Sequence, residues 1–151
     1  MKRELYVSTL IILLFMPLTG ILAQPNEGTS MKPILTDAQT YIQAAEDKGC
    51  EIVRMEFDVI SDTKSTYRTL VEGWTYGVVA FGDYRISDID IAISKDVDGT
   101  WILIQRDNSS AVNASVILTP SSTGMYKIDI TAYKFVSGYT AAHYGMLIFH
   151  E

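Results

Sequence analysis

From Glu51 onward the apolar positions recur every second residue. Val53, Met55, Phe57 and Val59 alternate with Arg54, Glu56 and Asp58. That is the pattern of a half-buried strand, because successive side chains on an extended backbone point to opposite faces. The chain is organised around Val71–Ser94 (VEGWTYGVVAFGDYRISDIDIAIS), where two apolar strands flank a Gly82-Asp83 turn. Trp74–Phe81 is apolar on both faces and is expected to be central in its sheet. In Ile86–Ser94, Ile89, Ile91 and Ile93 are expected to face inwards, with Asp88 and Asp90 in solvent. Further strands are predicted at Ser65–Val71, Trp101–Gln105, Asn113–Leu118, Met125–Tyr133 and Tyr144–Phe149. Asp98-Gly99 is the strongest hairpin signal in the chain, since that dipeptide suits a tight two-residue turn.

The period is helical only ahead of these strands. Ala38, Tyr41, Ile42 and Ala45 make a narrow apolar stripe, Thr36 and Gln39 have the spacing of a capping box, and Gly49 is a stop signal. A helix is therefore expected over 36–48, packed on the edge or end of something larger. One helix and about eight strands at a spacing near ten residues predict an all-β chain. The expected architecture is an antiparallel two-sheet β-sandwich, a jelly roll, formed by a single domain over 36–151.

The N-terminus reads differently. Lys2 and Arg3 precede the apolar run Leu10–Met16, Pro17 and Gly20 break it, and Ala23 offers a small residue for cleavage. This is the layout of a secretory signal peptide over 1–23, with a run too short to span a membrane comfortably. Residues 24–35, polar with Pro25, Gly28 and Pro33, read as a flexible leader. A secreted or periplasmic location follows, with no membrane association once the signal segment is removed.

The formal charge of −6 becomes one unit more negative without the signal segment, which carries two basic residues and one acidic one. An acidic surface repels phosphate backbones, so nucleic acid is a poor partner, whereas a protein or polysaccharide outside the cytoplasm remains open. Cys50 is the sole cysteine. It has no disulfide partner within the chain and reads as a small apolar residue at the helix end or as a link to another chain.

From about residue 70 to 150 the sequence resembles bacterial pre-peptidase C-terminal domains. The resemblance rests on Gly73-Trp74-Thr75-Tyr76, the D-x-D strand Asp88–Ile93, the G-x-Y strand Gly124–Ile128 and the closing strand Tyr144–Ile148. It implies a secreted, non-catalytic β-sandwich accessory module, in some cases calcium-binding or substrate-targeting. It implies no particular substrate, and the helix lies outside the pattern.

Three chemistries compete for the polar and aromatic residues. Calcium takes six to eight oxygen ligands, and Asp83, Asp88, Asp90, Asp96 and Asp98 are the candidates, although the loop at Asp96 lacks the bidentate acid of an EF-hand. A carbohydrate-binding module is one alternative, with Trp74, Trp101 and the loop tyrosines Tyr84 and Tyr139 as a stacking platform. A small secreted hydrolase is the other, using the same-face pairs Asp88/Asp90 or Glu56/Asp58 as its carboxylates. No G-x-S-x-G is present, and the two histidines, His143 and His150, with one cysteine make no zinc spacing. Asn108 and Asn113 each begin a glycosylation sequon.

Overall fold

The computed structural model describes residues 30–151, so the expected signal peptide and residues 24–29 of the expected leader lie outside the described residues. The elements are α1 (Lys32–Glu46), β1 (Glu51–Ile60), β2 (Thr63–Leu70), β3 (Tyr76–Gly82), β4 (Ile86–Val97), β5 (Thr100–Asp107), β6 (Asn113–Leu118), β7 (Gly124–Phe135) and β8 (Ala142–His150). Eight strands form two antiparallel four-stranded sheets, here called the back sheet, β1-β8-β3-β6, and the front sheet, β2-β7-β4-β5. This is a β-sandwich in jelly-roll order.

The core lies between the sheets. Ile89, Ile91 and Ile93 of β4 meet Val78, Ala80, Met146 and Ile148 of the back sheet, all almost fully buried. β3 is central in its sheet, as its doubly apolar run required. The hairpin at Asp98-Gly99 forms, with φ of 53° and 81° at the two turn residues. Positive φ at both positions gives the turn the hand that matches strand twist. The Asp96 carboxylate closes it by accepting from the Gly99 N–H at 2.8 Å.

Three expectations need correction. The Gly82-Asp83 connection is not a hairpin within one sheet, because β3 and β4 belong to opposite sheets and the turn carries the chain across the sandwich. Alternation reveals that a strand has a buried face but not which sheet supplies it.

The helix begins at Lys32 rather than Thr36 and ends at Glu46. Pro33 occupies its first turn, where the missing N–H has no helical partner to lose and the fixed φ is already helical. Thr36 does not cap: its hydroxyl donates to the Lys32 carbonyl one turn back, at 3.1 Å. The helix also lies across the outer face of the back sheet, not at an edge or end. Ile34 and Ala38 pack on Val79, Phe81 and Leu147 in a second apolar cluster.

β1 is turned over. A bulge between Ile52 and Arg54 shifts its register, so Phe57 joins the cluster under the helix. Glu56 points inwards, accepting 2.6 Å from the hydroxyl of the core residue Tyr144 and 2.8 Å from Thr66 of the opposite sheet. Met55 and Val59, expected to be inside, are about half exposed. β1 is an edge strand, and inward-pointing charge is one way in which such an edge is kept from pairing with another chain.

Candidate functional site

The five aspartates considered for calcium are not brought together. Asp83 lies in the β3–β4 connection and Asp88 near the start of β4, whereas Asp96 is near its other end and Asp98 in the hairpin turn that follows. At about 3.3 Å per residue, Asp88 and Asp98 are roughly 30 Å apart along the strand. Among the described residues no group of three or more His, Cys, Asp or Glu side chains is placed to hold a metal ion.

Asp83, Asp88 and Asp96 are instead engaged locally. Asp83 is 4 % exposed and accepts from the Arg85 guanidinium, the Arg85 N–H and the His143 N–H, with its closest Arg85 contact at 2.5 Å. Asp88 is buried rather than solvated. Register shifts on either side of it tuck its side chain under the β5–β6 loop, where Ser110 Oγ donates at 3.0 Å and the Ala111 N–H at 3.3 Å. Asp90 stays on the outer face, half-buried, and its carboxyl is pushed above the usual value by desolvation and by Asp88 and Asp107. Exchanging excess EDTA for millimolar calcium is therefore expected to leave the thermal midpoint within about 1 °C. A rise of several degrees, the signature of a ligand bound only by the folded state, would contradict this geometry.

The aromatic candidates divide between the two ends of the sandwich. Tyr84 and Tyr139 meet edge-to-face at 5.7 Å, joining the β3–β4 and β7–β8 connections above the Asp83–Arg85 pair. Trp101 lies at the hairpin end of the front sheet. Trp74, in the β2–β3 connection, packs instead on His150 of the back sheet, with 4.5 Å between ring centroids and the planes tilted. The platform of Trp74, Trp101 and the loop tyrosines is thus not one surface.

A different platform forms on the outer face of the front sheet, which no element among the described residues covers. Tyr67 of β2 and Trp101 of β5 come together at 5.6 Å between ring centroids. Tyr67, Lys127, Ser94 and Leu103 share one rung across the four strands. Ser94, small and 8 % exposed, leaves room for the rings to converge above it. Lys127 Nζ sits 5.8 Å from the Trp101 ring centre and pairs with Asp129 at 2.9 Å. The next rung adds Ser65, Asp129 and Arg106, with Ser65 donating to Asp129 at 2.6 Å. Tyr133, 71 % exposed, stands further along β7. The result is an apolar patch of two rings bordered by a cation, a carboxylate and a hydroxyl.

Sequence reasoning missed Tyr67. It is the one aromatic in a strand of Thr, Lys, Ser and Arg, alternating out of phase with the buried Thr66 and Leu70, and that phase was the available signal.

In each carboxylate pair considered for hydrolysis, one acid is already engaged by its neighbours. Asp88 is held by the β5–β6 loop, and Glu56 is held by Tyr144, Thr66 and Arg54. A cavity of about 240 Å³ between α1 and β6 is lined by apolar groups with Lys48 and Ser115, and by no acid.

Two antiparallel sheets in jelly-roll order, with one outer face covered by a helix and the other open, define a β-sandwich module. No protein-family model and no curated protein sequence matches the chain. Solved structures share parts of the architecture. PliG of Aeromonas hydrophila, a periplasmic inhibitor of g-type lysozyme, is 14% identical with a TM-score of 0.47, covering 69% of this chain and 90% of that one. The pre-peptidase C-terminal domain of a Bacillus anthracis collagenase is 10% identical with a TM-score of 0.48, covering 63% and 87%. The chain is thus similar to a pre-peptidase C-terminal domain over part of its length. A carbohydrate-binding module of the CBM4 type is 15% identical with a TM-score of 0.39, covering 68% and 79%.

Proposed function

We propose that this protein is a non-catalytic binding module acting outside the cytoplasm, and that it takes a carbohydrate chain on the open face of its front sheet. The observation that carries the reading is the Tyr67–Trp101 pair on the uncovered face, with Lys127 over the indole and the Lys127–Asp129 pair beside it. A sugar ring has an apolar face and a polar rim. Aromatic rings supply the flat apolar surface, while Asp129, Ser65 and Arg106 supply acceptors and donors at its border. The face is shallow and uninterrupted, which suits an extended chain better than a small molecule, since small-molecule sites are concave. The Tyr84–Tyr139 pair at the far end is left as a secondary contact.

The expected result of a glycan panel is binding of one polysaccharide class that Trp101→Ala and Tyr67→Ala each weaken by at least tenfold while the melting curve is kept. Tenfold corresponds to about 1.4 kcal/mol, a normal value for a stacking ring. If both variants bind like the wild type, the open face is not the site.

A further inference from the structure

β5 is the edge of the front sheet and, among the described residues, pairs with β4 alone. Its residues Trp101, Ile102, Leu103 and Ile104 are 37 %, 46 %, 50 % and 46 % exposed. Four consecutive large apolar side chains, exposed on both faces of a strand with a free hydrogen-bonding edge, form an open template for another strand. The other three edges are blunted. β1 carries Glu51, Arg54, Glu56 and Asp58, β2 carries Lys64 and Arg68, and β6 is only six residues long.

We infer that β5 pairs with β5 of a second copy of this chain across a twofold axis, extending the front sheet to eight strands. A twofold contact uses the same patch on both copies, so β5 must complement itself in an antiparallel register. It does so when the axis passes through Ile102. Ile102 then faces its own counterpart on the inner side, and Trp101 faces Leu103 of the second copy on the outer side, apolar against apolar in both cases.

The bulge between β4 and β5 falls at Ile104 and confines the regular ladder to Thr100–Leu103. Beyond it, Arg106 reaches the second copy's hairpin turn, where Asp96 and Asp98 lie. Arg106 makes no ion pair within its own chain among the described residues and is felt by Asp90. The twofold therefore creates this cation–carboxylate contact twice.

With one unblunted edge per copy, the assembly closes as a dimer and does not propagate into a fibre. The four side chains and the strand backbone bury on the order of 1,000 Å² across both copies, the lower limit for a specific interface. The dimer also sets the two Trp101 rings on adjacent strands of one continuous face. That makes the carbohydrate site bivalent toward a repeating chain. This last consequence rests on the function proposed above, while the dimer does not.

Sedimentation velocity of the purified protein without glycan, from about 1 to about 100 µM, brackets a micromolar Kd. The wild type is expected to pass from monomer to dimer over this range. Ile102→Lys places two ammonium groups at the axis and should remain monomeric throughout, with an unchanged melting curve at the lowest concentration. Arg106→Gln, an exposed change that leaves the fold alone, should weaken dimerisation several-fold and carries the test if Ile102→Lys does not fold. A wild type that stays monomeric at the highest concentration overturns the proposal, as does a dimer of undiminished strength in the variants. The open face fails separately, through loss of the Tyr67→Ala effect on glycan binding.

Discussion

Asp83→Ala is expected to lower the thermal midpoint by roughly 10 °C or more. Asp83 and Arg85 form an ion pair in which both side chains are nearly removed from solvent, and the carboxylate also accepts the His143 N–H from the start of β8. Truncating the acid leaves the guanidinium buried without its counter-charge, which costs about 3–5 kcal/mol. In a domain of this size, each kcal/mol moves the midpoint by several degrees. Because Asp83 ties the β3–β4 crossover to β8, the loss falls on the connection between the sheets. A fall of under about 3 °C would mean that water reaches Arg85 and replaces the pair.

The same carboxylate gives the domain an acid limit. Burial alone would raise the Asp83 carboxyl, but hydrogen bonds from the Arg85 side chain and N–H and from the His143 N–H outweigh it and hold the group below its ordinary value of 3.8. Glu56 behaves alike: burial raises it, and the hydrogen bonds from Tyr144, Thr66 and Arg54 bring it below 4.5. For a depressed carboxyl the stabilisation is complete above the unfolded-state value and is lost as the pH falls through the lower folded-state value. Stability should hold above about pH 4.5 and decline steeply beneath about pH 4. The Asp83→Ala variant should show a shallower decline in equilibrium unfolding measured across that range.

Gly145→Val is expected to detach the helix from the back sheet. A Cβ at Gly145 would lie 2.5 Å from the Phe81 ring and 3.2 Å from Phe57. Phe81 is fully buried and cannot retreat, because Tyr41 of α1 stacks on it at 4.9 Å. Inserting extra carbons into a packed site, three for valine and one for alanine, costs about 1–3 kcal/mol or more even when neighbours adjust. Here the neighbour best able to adjust is the helix itself. Limited proteolysis should cut within α1 of Gly145→Val at protease levels that leave the wild type intact, with Gly145→Ala intermediate. Equal resistance in all three would show that the Phe81 ring has room to move.

The strands were legible because their period was clean. β6 begins and ends where the alternation of Asn113–Leu118 placed it, and the Asp98-Gly99 turn followed from local backbone chemistry. The doubly apolar run of β3 also announced that both of its faces would be covered. Its outer cover was harder to read, since the residue that begins the helical contact, Ile34, sits just after Pro33 in a stretch whose polar composition resembled a leader.

The aspartates were misleading for a related reason. Spacing on a strand fixes which residues share a face only while the ladder is regular, and the shifts around Asp88 turn it inwards. Nor does closeness in sequence bring Asp88 and Asp98 together when an extended strand separates them. Tyr84 and Tyr139 were recognisable as loop residues, but their meeting depends on two crossings between sheets that no local pattern encodes.

The strand order has a consequence for how the molecule assembles. Among its six strand ladders, only β4–β5 joins neighbours in the chain, and β1 finds its sole partner in β8. Nearly the whole domain must be available before the first strand can be hydrogen-bonded. Closing such long loops before any contact compensates for the lost freedom makes folding slow, on the millisecond-to-second scale of all-β domains. The β4–β5 hairpin can form early and alone, and it is the hairpin that bears the apolar Trp101–Ile104 stretch. During that interval this stretch is the part of the chain most prone to pair with another molecule before its own sheet is complete.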